Sequence, residues 1–97
     1  MRIIAKKTLR ESWEANPDTT QYLKTWYATV KEAEWKTPAD IKETYATASI
    51  LGSGRVVFNI KGNHYRLIVK IHFNRSTIFI RFIGTHAEYD NIDANAI

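Results

Sequence analysis

Arg55–His86 reads RVVFNIKGNHYRLIVKIHFNRSTIFIRFIGTH. Six of the fourteen Lys and Arg residues and all three histidines fall in this stretch, and no Asp or Glu does. Apolar residues recur at every second position: Val56, Phe58, Ile60, then Tyr65, Leu67, Val69, Ile71, Phe73, then Ile78, Ile80, Phe82. A period of two marks strands with one buried face, because successive side chains point to opposite sides of a sheet. Lys61-Gly62-Asn63-His64 supplies a first turn, with Gly62 and Asn63 suited to positive φ, and Asn74-Arg75-Ser76 supplies a second. The stretch therefore predicts an antiparallel three-stranded meander. Its opposite parity carries Arg55, Asn59, Lys61, Arg66, Lys70, His72, Arg81 and Thr85, interrupted by Val57, Ile68, Phe79 and Ile83. A sheet whose ionisable groups are all potential cations is suited to an anion, and nucleic acid is the long polyanion of a cell.

The whole chain bounds that reading. Ninety-seven residues, 44% hydrophobic and 25% charged, are the size and make-up of one globular domain spanning 1–97. No apolar run approaches the ~20 residues of a membrane span, and no signal peptide opens the chain, so a cytoplasmic protein is expected. Without cysteine there is no disulfide, no thiol nucleophile and no zinc–thiolate site. The net charge of +4 is modest, and its position carries the signal.

Outside the meander, Arg2–Lys6 reads as a first strand. Thr8 and Glu11 have the spacing of a capping box that opens a short helix through Trp13, ending near Asn16-Pro17. Asp18 or Thr19 is placed to cap a longer helix whose stripe is Tyr22, Leu23, Trp26, Tyr27, Val30 and Ala33. Thr37-Pro38-Ala39-Asp40 starts a third helix, ending by Tyr45. Ala46–Gly54 reads as a loop, Thr85-His86-Ala87-Glu88 as the box of a last short helix, and Asn91–Ile97 as a tail that frays. The order predicts an α+β fold: an antiparallel sheet of the N-terminal strand plus the meander, with helices on one face. Trp13, Trp26 and Trp35 belong to the core and its edge on this reading, Trp26 lying on the apolar stripe.

The candidate chemistry is RNA cleavage. A ribose 2′-hydroxyl attacking its neighbouring phosphate needs a base, an acid and cations for the developing charge. Lys61, Arg66, Lys70 and Arg81 offer the cations, with His72 in the same pattern. His86, in the first turn of a helix, feels its positive end and is expected to favour neutral imidazole, a proton acceptor. Tyr89, three residues on, orients a phosphate, stacks on a base or donates a proton. Residue type also fits blander roles: Arg66, Arg81, Lys70 and His72 as solvated sheet-face residues, and His86 as half of a helical ion pair with Asp90, four positions on. The three histidines lack metal-ligand spacing, so no metal and no cofactor is expected.

Two segments carry a family resemblance: Asn59–Leu67 (N-I-x-G-N-x-Y-R-L) and Gly84–Asp90 (G-T-H-x-E-Y-D), with WYATVKEAEWKTPADIKETYATASIL upstream. Together they resemble the HigB-type toxins of bacterial toxin–antitoxin pairs, within the RelE-like superfamily of mRNA interferases. The resemblance implies a RelE-like fold and a metal-independent endoribonuclease that cuts mRNA on the translating ribosome. It also implies neutralisation by a cognate antitoxin of helix-turn-helix type, with DNA touched only through that antitoxin and no membrane partner. By position it makes Arg66 the phosphate-contacting arginine, puts His86 and Tyr89 in the catalytic motif, and makes Lys61 an assisting cation; Lys70, His72, Arg81 and Asn59 complete the expected RNA-binding set. Two other readings of the same basic face stay open: a non-catalytic RNA- or ribosome-binding module, and a domain that docks an acidic protein.

Overall fold

The computed structural model describes residues 1–97. β1 (Arg2–Ile4) leads into α1 (Lys6–Ala15), a 3₁₀ turn at Pro17–Thr19, α2 (Thr20–Glu32) and α3 (Pro38–Thr44). A short strand, β2 (Ser49–Ile50), precedes the meander of β3 (Arg55–Ile60), β4 (Tyr65–His72) and β5 (Thr77–Thr85), and α4 (His86–Tyr89) follows directly. The five strands lie in the order β1-β5-β4-β3-β2. The fold is α+β, as expected. The N-terminal strand does join the sheet, but it runs parallel to β5, so the sheet is mixed. β2, in the segment expected to be loop, covers only Val56 and Val57 of β3.

The helices cover one face because the apolar stripes and the apolar parity need each other. Leu9, Leu23, Trp26, Val30, Trp35 and Ile41 pack on Val56, Phe58, Ile60, Leu67, Val69, Ile71 and Ile78. Phe58 is the aromatic centre: Trp26 meets it edge-on at 5.4 Å, Tyr45 edge-on at 5.2 Å, and Trp35 stacks at 6.2 Å. Trp26 and Trp35 are thus core residues. No helix is long and apolar enough to cross a membrane.

Helix starts divide cleanly. The Thr37–Asp40 and Thr85–Glu88 boxes both form. The Thr8–Glu11 box does not: α1 starts three residues earlier, with Ala5 at the N-cap, and the Thr8 N–H already donates to the Ala5 carbonyl at 3.2 Å. Glu11 instead pairs loosely with Lys7 at 3.7 Å. Neither Asp18 nor Thr19 caps α2, because the 3₁₀ turn winds straight into it. The Thr19 hydroxyl donates back to the Asn16 carbonyl at 2.7 Å.

Two departures shape the second face. First, β4 pairs Ile68 with Phe82 but Val69 with Ile80, leaving Arg81 as an extra residue. The parity of β5 flips there, so Phe82 joins the second face and Ile83 the main core, the reverse of the simple alternation. Second, the C-terminal tail does not fray. Ala94 is buried against Val57 and Ile68, with Phe82, Tyr89, Ile92 and Ile97 around them, and Arg55 Nε donates to the Ile97 carbonyl at 2.8 Å. The sequence placed apolar Val57 and Ile68 among cations; the tail is what covers them.

Truncating Ile68, which is 0% exposed, is expected to cost about 2–5 kcal/mol. In Ile68→Ala, urea unfolding should show that loss and amide exchange at 92–97 should accelerate. A loss near zero with unchanged exchange would mean that the tail does not dock there.

Candidate active site

The site grows from one cross-strand row, Asn59 on β3, Arg66 on β4 and Gly84 on β5. Gly84 leaves room first for the Phe82 ring and then for the capping box beside it: a Cβ there would fall 2.7 Å from Phe82 Cζ and 3.1 Å from Glu88 Oε1. Glu88 in turn accepts the Thr85 N–H at 2.8 Å while the Thr85 hydroxyl accepts the Glu88 N–H at 3.1 Å, which fixes the direction of α4. The Thr85 bonds hold the Glu88 carboxyl below its ordinary pKa, the backbone N–H having the larger effect.

That geometry gathers the three residues singled out for catalysis. The Arg66 guanidinium lies 5.8 Å from the centroid of the Tyr89 ring. The Tyr89 and His86 rings are inclined by only 20°, with centroids 6.5 Å apart. The β3–β4 turn organises both neighbours. Arg66 donates to the Asn63 main-chain carbonyl at 3.2 Å and to the Asn63 side-chain oxygen, while the His86 N–H donates to the His64 carbonyl at 2.9 Å. The helical pair also exists, with His86 Nδ1 3.7 Å from Asp90 Oδ2, and the imidazole remains open to solvent. α4 is a single turn, so the positive end expected to act on His86 is small, and Asp90 opposes it.

Asp18, Asn63, Tyr65, Thr85 and His86 line an open cleft of about 480 Å³, ample for a nucleotide. Asp18 is the surprise. Its carboxylate accepts from Lys61 Nζ at 2.9 Å and from the Tyr65 hydroxyl at 3.2 Å, across 43 and 47 positions of sequence. The Lys61 bond holds Asp18 below the ordinary carboxylate range, with Tyr65 adding to it, and Asp18 holds Lys61 above its own ordinary value. The tract without carboxylates therefore borrows one from the helical layer. Lys61, expected to contact RNA, carries a counter-ion.

The remaining candidates divide. Asn59 is exposed and neighbours Arg66 in the row. Lys70 and His72 share the face of Arg66, but His72 stands six residues along the strand, roughly 20 Å away. It meets Phe79 edge-on at 5.4 Å. Between the two groups lies the tail-covered patch of Val57 and Ile68. Arg81 is the exposed bulge residue. The basic face is thus two groups, one beside α4 and one beyond the tail. Sequence reasoning missed Asp18, Asn63 and Tyr65 as site residues. Asn63 is three positions before Arg66, a detectable spacing; the Asp18 contacts leave no local signal.

A family model described as HigB_toxin, the RelE-like toxic component of a toxin–antitoxin system, matches residues 19–92. The chain belongs to the HigB toxin family. Its HigB-family relatives include an mRNA interferase HigB of Escherichia coli O6:H1 (strain CFT073), 28% identical over 94 residues, covering 95% of this chain and 91% of that protein. The mRNA interferase toxin HigB of Escherichia coli K12 is 27% identical over 92 residues, covering 93% and 88%. The mRNA interferase HigB of Shigella flexneri gives the same figures. Membership in this family implies an antitoxin as partner, and the two motifs around Arg66 and His86 fall within the matched span.

The Glu88 bonds give a pH test. Because its folded pKa lies below the ordinary 4.5, this stabilisation is complete above that value and is lost as pH falls through the lower folded value. Glu88→Gln keeps the box without titrating. Between about pH 5 and pH 3 its urea midpoint should fall less steeply than that of the parent protein. Parallel slopes would mean that the Glu88 carboxylate does not hold the cap.

Proposed function

We propose that this HigB-family protein is a metal-independent endoribonuclease that cleaves mRNA on the translating ribosome in the cytoplasm. We further propose that it acts as a single toxin domain, held in check by an antitoxin of helix-turn-helix type that supplies any contact with DNA. The observation that supports this reading most is the grouping of Arg66, Tyr89 and His86, the last of which also lines the open cleft. The names of the relatives, mRNA interferases, point the same way.

In the proposed reaction the 2′-hydroxyl attacks the adjacent phosphorus and the bond to the 5′ oxygen breaks, leaving a 2′,3′-cyclic phosphate upstream. His86 accepts the 2′ proton, and Tyr89 donates one to the departing 5′ oxygen. Arg66 and Lys61 neutralise the charge that builds on the phosphoryl oxygens. Asn59 lies along the row from Arg66, and Lys70, His72 and Arg81 meet the strand further out as phosphate contacts. A non-catalytic RNA- or ribosome-binding module, or a domain that docks an acidic protein, would need no such grouping of proton carrier and guanidinium.

In a purified translation system, His86→Ala should cut mRNA about 10²–10⁴-fold more slowly, and Arg66→Ala about 10²–10³-fold more slowly. The upstream fragment should end in a 2′,3′-cyclic or 3′-phosphate, and EDTA should leave the rate unchanged. A 3′-hydroxyl end, or full activity in both variants, would overturn the assignment. Lys70→Ala should lower the salt dependence of RNA binding by about one phosphate contact.

A further inference from the structure

Asp18 is the residue for which the proposed reaction has no role. It sits on the 3₁₀ turn between α1 and α2, one position before the span matched by the family model. Its two oxygens hold Lys61 and Tyr65, and it lines the same cleft as His86. What it holds matters to the rest of the site. Lys61 begins the β3–β4 turn with φ 52° and Gly62 follows with φ 61°. A lysine in the left-handed region is kept there by its surroundings, and the Asp18 bond is one of them. The same turn carries Asn63, which anchors Arg66, and the His64 carbonyl, which receives the His86 N–H. Lys61 has three N–H donors and Asp18 takes one. Two stay free for a phosphate.

We propose that Asp18 is a positioning residue for RNA cleavage: it aims the Lys61 ammonium and fixes the turn to which Arg66 and His86 are bonded, while its own charge opposes RNA binding. The proposal rests on the endoribonuclease reading above. It gives the two kinetic quantities opposite signs. Losing the carboxylate loosens the aim of the cations, which slows the chemical step, but it also removes a negative charge from the cleft, which tightens the hold on RNA. A residue that merely stabilised the fold would move both the same way.

The test uses Asp18→Ala and Asp18→Asn in the full chain, with thermal unfolding to monitor folding. Two quantities are measured: the single-turnover rate on programmed ribosomes, and the affinity for a 2′-O-methyl RNA that cannot be cut. Asp18→Ala should lower the rate roughly tenfold and tighten binding roughly twofold to threefold. In Asp18→Asn the amide oxygen still accepts from Lys61, so most of the rate should return while binding stays tighter. An unchanged rate in Asp18→Ala overturns the proposal, as does a parallel fall of rate, affinity and thermal stability. If Asp18→Ala does not fold, Asp18→Asn with weakened RNA binding overturns it. Arg66→Ala and His86→Ala in the same assay separate the two levels. If both cut at the parent rate, the reading of the whole site falls and this proposal with it. If both are crippled and Asp18→Ala is not, only the proposal falls.

Discussion

The middle of β4 is buried on both faces, and much of the molecule follows from that. Leu67 and Val69 point into the helical layer and Ile68 away from it, and all three are 0% exposed. An isoleucine on the second face needs a cover, and helices on the first face cannot supply it. The chain after β5 must therefore turn back across the sheet, and it does so through α4 and the tail, with Ala94 seated on Val57 and Ile68. Covering a hydrophobic spot is thus what carries His86 and Tyr89 to the end of the sheet where Arg66 waits. Packing and site placement are one event.

Around that placement the electrostatics are more balanced than a basic tract suggests. Lys61 has Asp18, and His86 has Asp90 four residues on. Glu88 is spent on its own helix start. Arg66 is held by neutral oxygens alone, from Asn63 and Tyr65, so its charge is left uncompensated in a row with uncharged Asn59 and Gly84. A guanidinium fixed in direction but not neutralised is well suited to an incoming phosphate. This fits the family to which the chain belongs.

What could be read from the sequence was whatever repeats locally. The alternation in Val56–Ile60 and Tyr65–Ile71 gave the meander, the stripe from Tyr22 to Val30 gave α2, the start signal at Thr37 opened α3, and one of the two proposed capping boxes formed as spaced. The places of Arg66, His86 and Tyr89 in the fold were legible because they sit at strand and helix ends that such patterns locate. What failed was non-local or one residue in size. The Thr8 box lost to a main-chain bond already made by its amide, and the bulge at Arg81 reversed the faces of Phe82 and Ile83. The tail has no periodicity of its own and is ordered only by what lies beneath it. Asp18 looked like a cap because nothing nearby in sequence announces Lys61, 43 positions away.

The extra residue at Arg81 also sets how the chain tolerates changes of length. From Ile80 onward, every side chain up to the start of α4 owes its up-or-down address to one odd count. Losing Arg81 would restore plain alternation, with Phe82 still opposite Ile68 and Gly84 still opposite Arg66, whereas adding a residue beyond the bulge would push Gly84 off its place opposite Arg66 and launch α4 on the wrong side. In this protein the number of residues in β5 is as much a part of the site as their identity.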